Sequence, residues 1–133
     1  MTKALLIQYI VSQSLGLGLD PSVALTVCKI ESNFDAQAIG SKGEFGLFQL
    51  NPLSFKKYNK KQLLNPKLNA RLGIKFLIKM KQECIHQKDL DWLVCYNLGI
   101  ERAKTVRHPS LFPYVKLAHK VRKEYIDYKG KEI

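Results

Sequence analysis

The chain has 133 residues, 46% of them apolar, and 22 Lys and Arg against 11 Asp and Glu give a net charge of +11. That length suits one domain with a real core, and that composition excludes wholesale disorder. No apolar run approaches the roughly 18 residues of a membrane span, and so basic a surface favours a polyanion: nucleic acid, anionic lipid or an anionic cell-wall polymer.

The opening stretch MTKALLIQYIVSQSLGLG pairs one lysine with an apolar run, as a signal peptide would. Gln8 interrupts that run and no Ala-x-Ala site follows, so residues 4–15 are expected to form a helix of the fold. Asp20-Pro21 then supplies an N-cap and a proline at the first helical position, opening a helix to about Ser32. Residues 35–54, DAQAIGSKGEFGLFQLNPLS, hold three glycines and a proline without sustained period. An irregular loop is expected there, with one short helix or a small hairpin.

Asn65-Pro66 repeats the cap-and-proline signal and starts a helix reaching Gln82 to Ile85. A shorter helix around LDWLVCYNLG has Gly99 as its C-cap. The last helix is expected from about Ser110 to Tyr128. Its buried stripe would be Tyr114, Leu117, Ala118, Val121, Tyr125 and Tyr128, with Lys116, Lys120 and Lys123 facing away. No internal repeat, low-complexity linker or βαβ alternation is present. The expected fold is mainly α, a compact helical single domain over residues 1–133. Cys28, Cys84 and Cys95 are odd in number, match no metal spacing and sit among apolar neighbours. They read as reduced core thiols, which fits a reducing compartment.

Four places break the pattern. On a helical wheel, Ala24, Val27 and Cys28 cluster opposite Ser22, Thr26 and Lys29, and Glu31 falls in the middle of the apolar side. Burial and the helix C-terminus would both raise its pKa. Such a carboxyl is either a general acid or a structural carboxylate paired with a lysine or a backbone amide. In the helix after Asn65, Asn69 shares a face with Leu72, Gly73, Phe76, Leu77 and Met80, which implies a satisfied buried amide and close packing at Gly73. In CYNLG, Tyr96 and Asn97 can orient a ligand or cap the helix. In GEFGLFQLNP, Gln49 stands amid Leu47, Phe48 and Leu50, which suits either a sugar subsite or a buried turn.

Taken in order, from about Leu5 to Tyr125, these segments resemble the catalytic domain of soluble lytic transglycosylases. That family lies in the lysozyme-like superfamily with goose-type lysozyme. The resemblance rests on DPSVALTVCKIES, SKGEFGLFQ with Phe48 for the usual Met, NPKLNARLG, CYNLG with Cys95 for Ala, and the late Tyr114-Val115. Five motifs in register are hard to obtain by accident. The resemblance implies a lysozyme-like fold and cleavage of the bond between N-acetylmuramic acid and N-acetylglucosamine, leaving a 1,6-anhydro end. It implies Glu31 as sole catalytic acid/base, with Ser32, Gln49, Tyr96, Asn97 and Tyr114 lining the cleft and Gly46, Leu47 and Phe48 forming its wall. Asn69 and Gly73 would be structural neighbours of the site. No cofactor or metal is implied. The expected partner is the peptidoglycan glycan strand, with no nucleic acid and no membrane span, and the chain acting as a monomer.

One carboxyl suffices when the substrate supplies its own nucleophile, whereas most glycosidases use two. Asp35 and Glu44 are the nearest candidates for a second. Either one holding a water opposite Glu31 would make the protein a hydrolytic muramidase. A basic nucleic-acid-binding helical domain is a further alternative, although no recognised motif supports it. A module that binds peptidoglycan without cutting it is another, opposed by the intact Glu31. Lys56, Lys57, Lys60 and Lys61 form the densest basic cluster, a solvated or wall-facing patch. The substrate lies outside the cytoplasmic membrane and the N-terminus carries no convincing export signal. Delivery in a virion, through a lytic pore or by a secretion machine is therefore expected.

Overall fold

A computed structural model describes residues 1–128, so residues 129–133 of the expected domain lie outside the described residues. The elements follow the punctuation of the sequence. Helix α1 spans Lys3–Leu17, and the Thr2 hydroxyl accepts from the Leu5 N–H at 3.2 Å to cap it. Helix α2 spans Pro21–Ser32, with the Asp20 carboxylate accepting from the Ser22 N–H at 2.9 Å. The short α3, Lys60–Leu63, was not foreseen. It is built by a capping box in which Asn59 and Gln62 satisfy each other's backbone N–H. Helix α4 spans Pro66–Glu83, capped by Asn65, and α5 spans Leu93–Leu98, closed by Gly99. A single turn, α6, follows at Ile100–Ala103.

The C-terminal region departs from expectation. A 3-10 turn at Pro109–Leu111 precedes α7, which spans only Pro113–Arg122, and a second 3-10 turn occupies Ile126–Tyr128. Proline cannot donate the N–H a helix interior requires, so Pro113 starts a helix instead of sitting inside one begun at Ser110. The buried face of α7 is correspondingly Val115 and Ala118, whereas Leu117 is 44% exposed. Tyr125 still reaches the core, from beyond the helix end.

Helix α2 is the centre of the packing, covered by α1 on one side and α7 on the other, while α4 packs on α1 and α5. Every residue from Pro21 to Cys28 is buried. The Ser22 and Thr26 side, expected to be polar and outward, is therefore inside. Its hydroxyls are satisfied locally, Thr26 donating to the Ser22 carbonyl at 2.7 Å and Ser22 to the Asp20 carboxylate at 2.9 Å. The loop after α2 is the irregular hairpin expected, held by isolated antiparallel bridges Ile39–Phe45 and Phe45–Leu50. Among the described residues no helix is long and apolar enough to cross a membrane.

The cysteine reading needs correction. Cys84 and Cys95 form a disulfide, and only Cys28 is a free buried thiol. Sequence spacing could not reveal this, because Cys84 caps α4 and Cys95 lies inside α5, and it is the packing of α5 on α4 that brings them together. A six-residue helix has little stability of its own, so this bond fixes α5 against its neighbour. Replacing both residues (Cys84→Ser with Cys95→Ser) should cost about 2–3 kcal/mol and lower Tm by roughly 10 °C. Thermal melts should show the same loss when the native protein is reduced, and no effect of reductant on the double variant.

Candidate active site

Burial along α2 stops at Cys28, and its last turn emerges half-covered with Glu31 in it. Asn33 closes the helix at φ 52°, donating its N–H to the Lys29 carbonyl at 2.9 Å, and Phe34 follows at φ 62°. Left-handed conformations cost non-glycine residues about 1–3 kcal/mol each. Phe34 is held there by burial, its ring meeting Tyr125 edge-on at 6.2 Å with the Lys3 amine 5.2 Å above it. The chain thus turns off the helix directly after the last turn that carries Glu31.

The Tyr114 hydroxyl donates to Glu31 Oε2 at 2.6 Å. Burial pushes the Glu31 carboxyl above its ordinary pKa; the Tyr114 bond pulls it part of the way back, and the negative charge of Glu44 pushes it up again. The α2 C-terminus acts in the same sense as burial. Tyr114 itself is raised well above the usual phenol range by burial and by Glu31, so it remains a hydroxyl donor. With Oε2 engaged, Oε1 is the oxygen left for a proton.

Glu31 lines a cavity of about 410 Å³ together with Gln49, Tyr96 and Asn97. Those groups come from α2, the hairpin loop and α5, so tertiary packing alone assembles them. Of the two second carboxylates considered from the sequence, only Glu44 shares this cavity; the Asp35 carboxylate accepts from the Gln37 N–H in a local turn. Phe55 and Phe76 also line it, and their rings continue through Tyr96 to Tyr114 at centroid separations of 5.8, 5.8 and 6.4 Å. Neither phenylalanine carried any sequence signal toward the site. Their aromatic character is equally that of core residues, and only the cavity distinguishes them.

Ser32, Gly46, Leu47, Phe48 and Tyr114 are not in the cavity lining. Instead they hold its parts. Ser32 donates to the Leu47 carbonyl at 2.8 Å, and the Tyr96 hydroxyl donates to the Phe48 carbonyl at 2.9 Å. The Phe48 N–H donates to Asn69 Oδ1 at 2.8 Å. Asn69 Nδ2 donates in turn to the carbonyls of Phe45 and Leu63, at 2.8 and 2.7 Å. Gly46 stands at φ 76°, and a Cβ there would collide with the Asn69 amide and the Leu63 carbonyl. A Cβ at Gly73 would collide with the Phe48 ring, so the close approach at Gly73 is to a side chain. Gln49 sits at φ 50°, and its Nε2 donates to the carbonyls of Ala38 and Gly46, which leaves its amide oxygen free to accept. Cys28, buried with its thiol pushed up to about 12, is not a nucleophile.

The transglycosylase SLT domain family matches residues 8–110, which contain every residue above except Tyr114 and Tyr125 and the flanking Lys3. No curated protein matches the chain significantly. Among solved structures, an inactive mutant of the lytic transglycosylase Slt from Pseudomonas aeruginosa superposes with a TM-score of 0.72 at 20% identity. The alignment covers 90% of this chain and 24% of that one, so the chain spans about a quarter of the Slt length. At that identity the likeness establishes the fold.

Because the folded protein raises the Glu31 pKa, the native state binds more protons than the unfolded chain just above the ordinary carboxyl range. Ionising this group therefore weakens the fold as pH rises. Glu31→Gln should melt higher than the native protein at pH 7, and the gap should close below about pH 4, where the carboxyl is neutral in both states. Parallel melts across that range check the sign.

Proposed function

The chain belongs to the transglycosylase SLT domain family, and on that premise we propose that it is a lytic transglycosylase cutting peptidoglycan between N-acetylmuramic acid and N-acetylglucosamine. The observation that carries this reading is a single carboxyl, Glu31, raised in pKa at the edge of a cavity and held through one oxygen by Tyr114. A carboxyl whose pKa is raised keeps its proton to higher pH than a free glutamate and can donate it to a bridging oxygen.

In the proposed reaction Glu31 Oε1 gives its proton to the glycosidic oxygen as the C1–O bond breaks. The N-acetylglucosamine side leaves with a new 4-hydroxyl. The muramyl 6-hydroxyl attacks the electron-poor anomeric carbon and surrenders its proton to the Glu31 carboxylate. The acid is regenerated, no water is consumed, and the muramyl residue ends as a 1,6-anhydro sugar. Tyr114 is assigned a positioning role: by occupying Oε2 it directs the proton to Oε1. Gln49, Tyr96 and Asn97, which share the cavity, are suited to the hydroxyl and N-acetyl groups of the sugars. Ser32, Gly46, Leu47 and Phe48 would act through the bonds that shape this wall, with Asn69 and Gly73 supporting them. A disulfide between Cys84 and Cys95 suits an oxidising compartment at the cell wall, in place of the reducing one read from the cysteine count.

Glu44 favours a second reading. It shares the cavity with Glu31 and its charge reaches that carboxyl, so it could hold a water on the opposite face of the sugar and make the enzyme a hydrolase.

Glu31→Gln should lower solubilisation of purified peptidoglycan by at least about 10³-fold; full activity in that variant dismisses the assignment. Mass spectrometry of the native digest decides between the readings, with anhydromuramyl ends expected and reducing ends marking hydrolysis. Glu44→Gln should keep the anhydro product. Removing its charge lowers the Glu31 pKa, so the alkaline limb of the pH–rate profile should move to lower pH. Loss of all activity in Glu44→Gln would instead support the hydrolytic base.

A further inference from the structure

Charge is distributed unevenly along this chain. From Phe45 to Gln82 there is no aspartate or glutamate, while Lys56, Lys57, Lys60, Lys61, Lys67, Arg71, Lys75, Lys79 and Lys81 all fall within that span. The same span builds one wall of the cavity, through Asn51, Ser54, Phe55 and Phe76. Lys56 and Lys57 follow Phe55 directly and are exposed. Lys60 and Lys61 line a second concavity of about 610 Å³, with Gln37, Asn65 and Pro66. Lys60 also holds its amine 6.0 Å from the ring of Phe45, the neighbour of Glu44, so the basic segment reaches back to the hairpin beside the first cavity. None of these four lysines pairs with a carboxylate among the described residues, where the ion pairs involve Glu101 and Asp89. Four exposed cations, two lining a concavity and two directly following a residue of the glycan cleft, find no countercharge among the described residues.

We propose that Lys56, Lys57, Lys60 and Lys61, with the concavity that Lys60 and Lys61 line, form a subsite for the carboxylates of peptide stems attached to the glycan strand lying in the cleft. This rests on the glycan-cleaving reading. N-acetylated amino sugars are neutral, and the lactyl carboxyl of a muramyl residue is neutral once amide-bonded to its stem, so the anionic groups of a stem-bearing strand lie on its peptides, to the side of the sugar chain. The placement of the lysines matches: beyond Phe55 at the rim, not inside the cavity around Glu31. Each exposed pair is worth little by itself and is screened by salt, so the subsite acts collectively and most strongly at low ionic strength.

The test uses the Glu31→Gln protein as a non-cleaving probe and insoluble sacculi treated with hydrofluoric acid to remove phosphodiester polymers. One portion keeps its stem carboxylates, and the other has them converted to neutral primary amides with carbodiimide and ammonium chloride. Co-sedimentation at low salt should show about tenfold tighter binding to the carboxylate form, and the difference should vanish at high salt. Adding K56Q/K57Q/K60Q/K61Q should equalise the two forms. Since Lys57 and Lys60 lie near the rings of Tyr58 and Phe45, the K56Q/K61Q pair is measured as well and should give a partial loss without altering Tm. A preference that survives all four substitutions, or equal binding of both sacculi by the probe, overturns the subsite. Salt-sensitive binding seen only before acid treatment overturns it too, in favour of a phosphate polymer. If the native protein cleaves neither form, the glycan-cleaving reading fails, while the sedimentation difference still decides the role of the lysines.

Discussion

The side-chain amide of Asn69 holds this site together. Fully buried on α4, it uses both its atoms on backbone, accepting from Phe48 and donating to Phe45 and Leu63. A hairpin held by isolated bridges and a few turn bonds has no continuous ladder of its own. Its buried polar groups must find partners elsewhere or destabilise the fold by about 1–3 kcal/mol each. Asn69 meets part of that demand, and Ser32 and Tyr96 meet more of it at the Leu47 and Phe48 carbonyls. The loop is therefore ordered by side chains from three helices, α2, α4 and α5. Gly46 and Gly73 are the counterpart of this arrangement, since any side chain there would fill the space the amide and the Phe48 ring occupy.

The same packing creates the electrostatics around Glu31. Helix α2 is enclosed by α1 and α7 until Cys28, and the acid appears where that enclosure ends. Further inward, a carboxyl would be a buried charge without solvent; further out, it would titrate like any surface glutamate. At the boundary, burial and the Glu44 charge push one way and the Tyr114 hydroxyl pushes the other, and burial is the largest of the three. The tyrosine also occupies one of the two carboxyl oxygens, so burial raises the pH at which the proton leaves while the hydrogen bond engages Oε2. The strained turn through Asn33 and Phe34 maintains this position, anchored by the Phe34 ring against Tyr125.

Two features give the molecule distinct sides. Acids reach the cavity only from α2 and the first part of the hairpin, where Lys42 also lines it, while the lining contributed by residues 45–82 is neutral and the lysines of that span lie outside it. The disulfide, meanwhile, joins the end of α4 to the helix that carries Tyr96 and Asn97. A short helix bearing four cavity-lining residues is thereby tied to the helix that bears Asn69.

Local chemistry was legible without coordinates. Asp20-Pro21 and Asn65-Pro66 mark helix starts because caps and prolines act within one turn, and Glu31 was visible as a charge on an apolar helix face. The mainly helical character, the irregular loop and the satisfied amide at Asn69 follow from the same short-range rules. Contacts between distant segments were not legible. Helical periodicity places a residue on a face but does not say what covers it, which is why Ser22 and Thr26 are inside and Leu117 is outside. Pairing of Cys84 with Cys95, the cavity lining by Phe55 and Phe76, and the choice of Glu44 over Asp35 beside Glu31 arise only when helices far apart in sequence meet. Short-range chemistry marks where helices begin and which carboxyl is out of place; what surrounds that carboxyl emerges only on folding, because burial and proximity belong to the packed chain as a whole.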